Sequence, residues 1–181
     1  MTKRLLAFLP FVLAHETVFA RNHDGDYAYA IVERDPDDPG GTTKFGIDQR
    51  SHPEVDVEHL TLDRARQIYD QSYWGPSHAE ALPPGVGEVV FDSAVNCGVG
   101  KAIIWLQQVL ADMGLYHGAI DARVGPLTLA AAAAVDPAQL VSAILSKRRH
   151  FYERLAASRP AMRKFLRGWN NRIEDLAKAV K

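Results

Sequence analysis

Apolar positions recur at helical spacing along most of the chain, with one polar and irregular stretch near its start. The apolar run beginning at Leu5 continues through Val12, Leu13, Val18 and Phe19. It predicts a first helix over about residues 10–20, with Pro10 in the first turn, where a missing N–H is tolerated. Between residues 21 and 47 the pattern breaks. Asp24-Gly25, Asp35-Pro36, Asp38-Pro39-Gly40-Gly41 and Gly46 punctuate it, and Tyr27, Tyr29 and Ile31 alternate as in a strand. An Asp-Gly turn ahead of such alternation predicts a β-hairpin.

Helical spacing then returns. Thr61 is placed to cap a helix carrying Leu62, Ala65, Ile68, Tyr69 and Tyr73. Pro83-Pro84-Gly85 precedes a helix with Val86, Val89, Val90, Phe91 and Ala94, closed by Gly98. The next runs from Ala102 through Trp105, Leu106 and Leu110 to Gly114. Pro126 and Pro137 stand at first helical positions, the second behind a capping Asp136, and Pro160 separates the last two helices. The expected fold is α+β, predominantly α-helical, with a small β-hairpin after the first helix.

A chain of 181 residues with 47% hydrophobic and 24% charged positions is a globular composition, which excludes disorder. Cys97 is the single cysteine, so neither an internal disulfide nor a Cys-x-x-Cys metal ribbon is available, as suits a reducing compartment. Lys3-Arg4 followed by Leu5 to Ala14 has the outline of a short signal peptide, yet Pro10 interrupts the run and its length is far below a membrane span. The expectation is a chain made in the cytoplasm without a cleaved signal peptide. Net charge is −1, but residues 145–181 carry a balance of +8, either ordinary helical surface or a cationic face for an anionic envelope. Nothing in the charge calls for nucleic acid.

The candidate chemistry centres on carboxylates. Glu16 lies on a largely apolar helix, a setting for a proton donor, and Asp38 lies in the Gly-rich turn segment. Glycoside hydrolysis uses such a pair, one acid beside the scissile oxygen and one carboxylate across the sugar. From spacing alone, a solvated helix-end glutamate is the plainer alternative. Two metal patterns compete. Asn22, Asp24, Asp26 and Glu33 occupy positions 1, 3, 5 and 12 of an EF-hand-like loop, but Tyr27 replaces the glycine of position 6 and Asp35-Pro36 opposes a following helix. A plain hairpin is preferred, and no metal or other cofactor is expected. The seven histidines show no His-x-x-x-His spacing, which argues against a zinc amidase.

His15-Glu16, the segment Asp35-Pro36-Asp37-Asp38-Pro39-Gly40-Gly41-Thr42-Thr43-Lys44-Phe45-Gly46-Ile47, Val95-Asn96-Cys97-Gly98 and Gly168-Trp169-Asn170-Asn171-Arg172 together resemble glycoside hydrolase family 108. These are N-acetylmuramidases of lysozyme-like fold found in phage endolysins and bacterial secretion or lysis systems. The resemblance implies a lysozyme-like catalytic half, residues 1–97, and a helical half, residues 98–181, similar to the family's peptidoglycan-binding region, packed together as one unit. It implies Glu16 as general acid, Asp38 as second carboxylate or water-orienting group, and Thr43 as polar support. The family's Glu-Gly-Gly-Tyr reads Glu16-Thr17-Val18-Phe19 here, and 22 positions separate Glu16 from Asp38, more than in the family. The extra residues coincide with the expected hairpin, which returns its ends to one place.

Further residues carry two readings each. Tyr73 and Trp74 either stack on a sugar or belong to the core; Asp92 and Asn96 either line the cleft or form a buried polar pair. Ile120 to Thr128 is similar to the turn of peptidoglycan-binding repeats, with Ala122 for a glycine, and serves either as a binding loop or as a helix start. The implied partner is bacterial peptidoglycan, attacked by a monomer in the periplasm or cell wall after release through a holin or secretion system. The alternative is a non-catalytic peptidoglycan-binding or secretion-accessory protein on the same scaffold.

Overall fold

Helix α1 spans Lys3–Glu16, starting well before the expected residue 10. Thr2 caps it, its hydroxyl accepting the Leu5 N–H at 3.2 Å, and Pro10 stands in the interior rather than in the first turn. An interior proline costs a helix about 3 kcal/mol. Here it falls on the exposed face, while Leu5, Phe8, Leu9, Val12 and Leu13 are buried. At roughly 1.5–3 kcal/mol for each such side chain, burial outweighs the proline. The apolar run is a packed helix, and among the described residues no single helix is long and apolar enough to cross a membrane.

The computed structural model describes residues 1–34 and 41–181, in two compact units, Met1–Asp70 and Gln71–Lys181. In the first unit the chain stays extended beyond α1. The Ile31 N–H donates to the Val18 carbonyl at 3.0 Å and the Ala20 N–H to the Tyr29 carbonyl at 2.9 Å, so Phe19 pairs with Ala30 across an isolated antiparallel bridge. The inserted residues therefore return their ends to one place. They are not the expected strand, however. Tyr27–Tyr29 is a 3-10 turn, because the Asp26 carboxylate accepts the Ala28 N–H at 3.1 Å and offers the backbone a local alternative to the ladder.

The sheet follows the insertion rather than forming from it. Strands β1 (Glu33–Arg34), β2 (Thr42–Lys44) and β3 (Ile47–Asp48) are antiparallel in that order, with Thr43 facing Glu33 on one side and Asp48 on the other. Helix α2, Leu62–Tyr69, begins where expected: the Thr61 hydroxyl accepts the Arg64 N–H at 3.2 Å, and Ala65, Ile68 and Tyr69 are buried.

The second unit is helical. Its elements are α3 (Val86–Cys97), α4 (Val99–Asp112), α5 (Pro126–Ala133), α6 (Pro137–Ser158) and α7 (Leu166–Ala179). Gly98, at φ 89°, ends α3 and starts α4, and Asp136 caps α6 through the Gln139 N–H at 3.0 Å. Pro160 opens a short 3-10 segment, Pro160–Phe165, which delays the last helix to Leu166. Helix α3 packs against α4 and α6, with Phe91, Leu106, Leu110 and Ile144 fully buried, and the compact units divide at 70/71. The α+β class with predominant helix and one small antiparallel sheet is as expected.

Candidate active site

Glu16 is the last residue of α1 and is half-buried. What lies against it is a backbone turn. Lys44 pairs with Ile47, leaving Phe45 and Gly46 as a two-residue hairpin loop, and both have positive φ, 53° and 72°. That is the twist which lets such a loop join two right-twisted strands. A side chain on Gly46 would meet the Glu16 Cβ at 2.6 Å, the Tyr69 hydroxyl at 2.8 Å and the Glu16 Oε2 at 3.0 Å. Only glycine meets both demands, left-handed backbone and near-contact with the carboxylate.

The non-glycine partner in the loop is held from two sides. Phe45 is 3% exposed, and its carbonyl accepts the buried Tyr69 hydroxyl at 2.8 Å. Its ring lies 6.3 Å from that of Tyr27, which lies 5.4 Å from Phe19, so the insertion packs onto the turn that abuts Glu16. Burial raises the Tyr27 phenol above its usual range against the opposing pull of Arg66. The result is a carboxyl side chain beside a backbone turn that the Tyr69 phenol holds in place, an arrangement suited to seating a proton donor. Sequence reading missed Gly46 and Tyr69 in this role. The available signal was a glycine three residues beyond the paired threonines, where only a tight turn fits.

The changed motif after Glu16 has a local explanation. Thr17 is extended, φ −105° and ψ 128°, and its N–H closes α1 on the Leu13 carbonyl at 2.9 Å. Any residue adopts that conformation, so no glycine is required at this position. Thr17, Val18 and Phe19 are residues that favour extended chain, and Phe19 pairs with the insertion at Ala30. The substitution and the insertion belong together.

The other predicted residues are dispersed. Asp38 lies outside the described residues. Thr43 is half-buried in the central strand, two residues before the Phe45-Gly46 turn. Asn22, Asp24 and Asp26 are exposed, Glu33 is in β1, and among the described residues no group of three or more His, Cys, Asp or Glu side chains is placed to hold a metal. Tyr73 is half-buried, whereas Trp74 is 2% exposed and packs edge-on against Phe91 at 5.2 Å, a core position.

Asp92 is fully buried and surrounded by cations, which corrects its reading as a cleft residue. Arg148 Nη1 lies 2.6 Å from Oδ2 and Arg172 Nη2 lies 2.7 Å from Oδ1. Burial pushes the carboxyl up, but the two guanidiniums outweigh it and hold Asp92 below the usual range. Asn96 is half-buried and accepts the Tyr152 hydroxyl. The +8 tail is therefore partly internal: Arg148 and Arg172 neutralise Asp92, while Arg163, Lys164 and Arg167 remain exposed. The segment from Ile120 is a stapled loop. The buried Gln107 amide donates to Asp121 Oδ1 at 2.8 Å and to the Arg123 carbonyl at 3.0 Å, and Ala122 takes φ 62° where the similar repeats have glycine.

Residues 11–98 match the family described as glycosyl hydrolase 108, and residues 101–174 match the family described as predicted peptidoglycan domain. Solved structures with this fold include that of Brucella abortus SagA, 23% identical, with a TM-score of 0.77 over 97% of this chain and 92% of that one. Among curated proteins there is no match. The fold and these two matches agree: residues 11–98 form a glycosyl hydrolase 108 region, of a family of peptidoglycan hydrolases, followed by a predicted peptidoglycan domain over residues 101–174.

Proposed function

We propose that the protein is an N-acetylmuramidase that cleaves the β-1,4 bond between N-acetylmuramic acid and N-acetylglucosamine, with Glu16 as general acid. The observation that supports this is the seat of half-buried Glu16 against Gly46, which sets the carboxyl beside a tight backbone turn. Glu16 gives its proton to the bridging oxygen as the bond from that oxygen to the sugar carbon breaks. Water adds to that carbon and gives up a proton to a second carboxylate, for which Asp38 is the candidate, with Thr43 as a polar neighbour. The chain's own residues supply all of this chemistry.

The biological setting we favour is phage or prophage lysis, with release to the wall by a holin or a secretion apparatus. The exposed Arg163, Lys164 and Arg167 would then engage an anionic envelope surface. Mass spectrometry of the products released from purified peptidoglycan tests the reaction. Muropeptides ending in reducing N-acetylmuramic acid are expected; reducing N-acetylglucosamine, anhydro sugars or free stem peptides would overturn it. The replaced glycines of the Glu16 motif favour a second reading, a wall-binding accessory protein without chemistry. Wall binding with no release of reducing ends would establish that one instead.

A further inference from the structure

We propose that the second unit holds a site for a carboxylate-bearing stem peptide of peptidoglycan, in the cavity between Asn96, Lys101, Phe151 and Trp169. This deepens the peptidoglycan reading above and rests on it. The cavity measures about 380 Å³ and combines aromatic walls with polar groups, unlike the larger and mainly apolar groove between α6 and α7.

The polar groups are ordered from behind. Arg148, anchored on Asp92, donates from Nε to the Tyr152 hydroxyl at 3.2 Å. That occupies the phenol oxygen as an acceptor, so its proton goes to Asn96 Oδ1. Burial keeps the Tyr152 phenol protonated well above its usual range, which preserves this direction. With its oxygen held by Tyr152, the Asn96 amide is left to present its NH2 donors at the cavity. A buried ion-pair cluster thus fixes the orientation of a half-buried amide.

The cation comes from the first turns of α4. Lys101 Nζ sits 4.3 Å from the centre of the Phe151 ring and has no carboxylate partner among the described residues. Trp169 stacks on Tyr152 at 4.6 Å and 19° and forms another aromatic wall. Two kinds of donor, one of them charged, beside flat apolar surfaces fit a small anion on a short apolar body. In peptidoglycan that is the stem peptide, with alanine methyls next to free carboxylates. A neutral glycan has no group for the ammonium.

The test titrates the full-length protein with three probes: the reduced disaccharide tetrapeptide, the free tetrapeptide, and a neutral peptide-free disaccharide of two N-acetylglucosamine units. The Trp169 indole signal, assigned through Trp169→Phe, reports occupancy. Both peptide probes are expected to shift it. Lys101→Glu is expected to weaken them by about tenfold or more, and Lys101→Arg by less than about twofold. Lys101 is exposed, so unchanged thermal stability accompanies these variants. Equal binding of the peptide-free disaccharide, or indifference to Lys101→Glu, would overturn the proposal. Reducing-end release from peptide-free glycan strands is measured on the same preparations. Its absence with peptide binding intact would sink the muramidase reading alone, and its presence without peptide binding would sink this site alone.

Discussion

Glu16 and Asp92 are both carboxylates on apolar helices, and their surroundings suit them to opposite tasks. Asp92 sits inside α3, fully buried, with its charge cancelled by Arg148 and Arg172. Glu16 sits at the end of α1, half-buried, against the Phe45-Gly46 turn, whose two residues both have positive φ. The first arrangement satisfies an anion permanently and removes it from chemistry. The second sets a carboxyl at a helix end against a tight backbone turn, which suits a group that must give up a proton. Position on a hydrophobic helix does not separate a catalytic acid from a structural one; the neighbours do.

If that contrast holds, the two sites fail differently when altered. The largest stability effect is expected for Asp92→Ala, which leaves two buried guanidiniums uncompensated and costs about 3–5 kcal/mol by urea unfolding. Removing the charges together, as Asp92→Leu with Arg148→Met and Arg172→Leu, is expected to recover most of the loss. The same cluster sets an acid limit. Asp92 is held below its ordinary value of 3.8, so its contribution is complete above about pH 4 and is lost as pH falls through the folded value. Stability measured from pH 2 to 6 should rise with pH in the native protein, with a shallower rise in Asp92→Asn.

A smaller loss is expected at the active turn. Gly46→Ala forces a side chain into 2.6 Å contact at φ 72°, for about 2–3 kcal/mol of stability and at least about tenfold in rate, because the displaced atom belongs to Glu16. A stable Gly46→Ala variant with native rate would show that the turn does not seat the acid. The smallest effect belongs to Tyr69→Phe, which leaves the Phe45 carbonyl without its buried donor and costs about 1 kcal/mol. Its thermal unfolding should show a modest shift, with a smaller loss of rate than in Gly46→Ala.

Much of this was legible in the residues. The caps at Thr61 and Asp136 and the first-position Pro126 are local chemistry, and the structure has each where the sequence put it. The proposal of Glu16 as the acid came from family resemblance. What escaped depends on contacts between distant positions. The start of α1 was misplaced because Pro10 reads as a helix beginning, whereas five buried side chains overrule it. The strand expected at Tyr27 to Ile31 gave way to the Asp26 turn, a side chain competing with the ladder. Asp92 was visible as a polar residue on an apolar face, but Arg148 and Arg172, 56 and 80 residues later, carry no local sign of being its partners.

The most direct measurement is reducing-end release from purified peptidoglycan by Glu16→Gln beside the native protein. Glutamine keeps the size and the packing against Gly46 and loses the transferable proton. The account predicts a fall of about 10²–10⁴-fold with thermal stability and wall binding retained. Release at the native rate by this variant would contradict it.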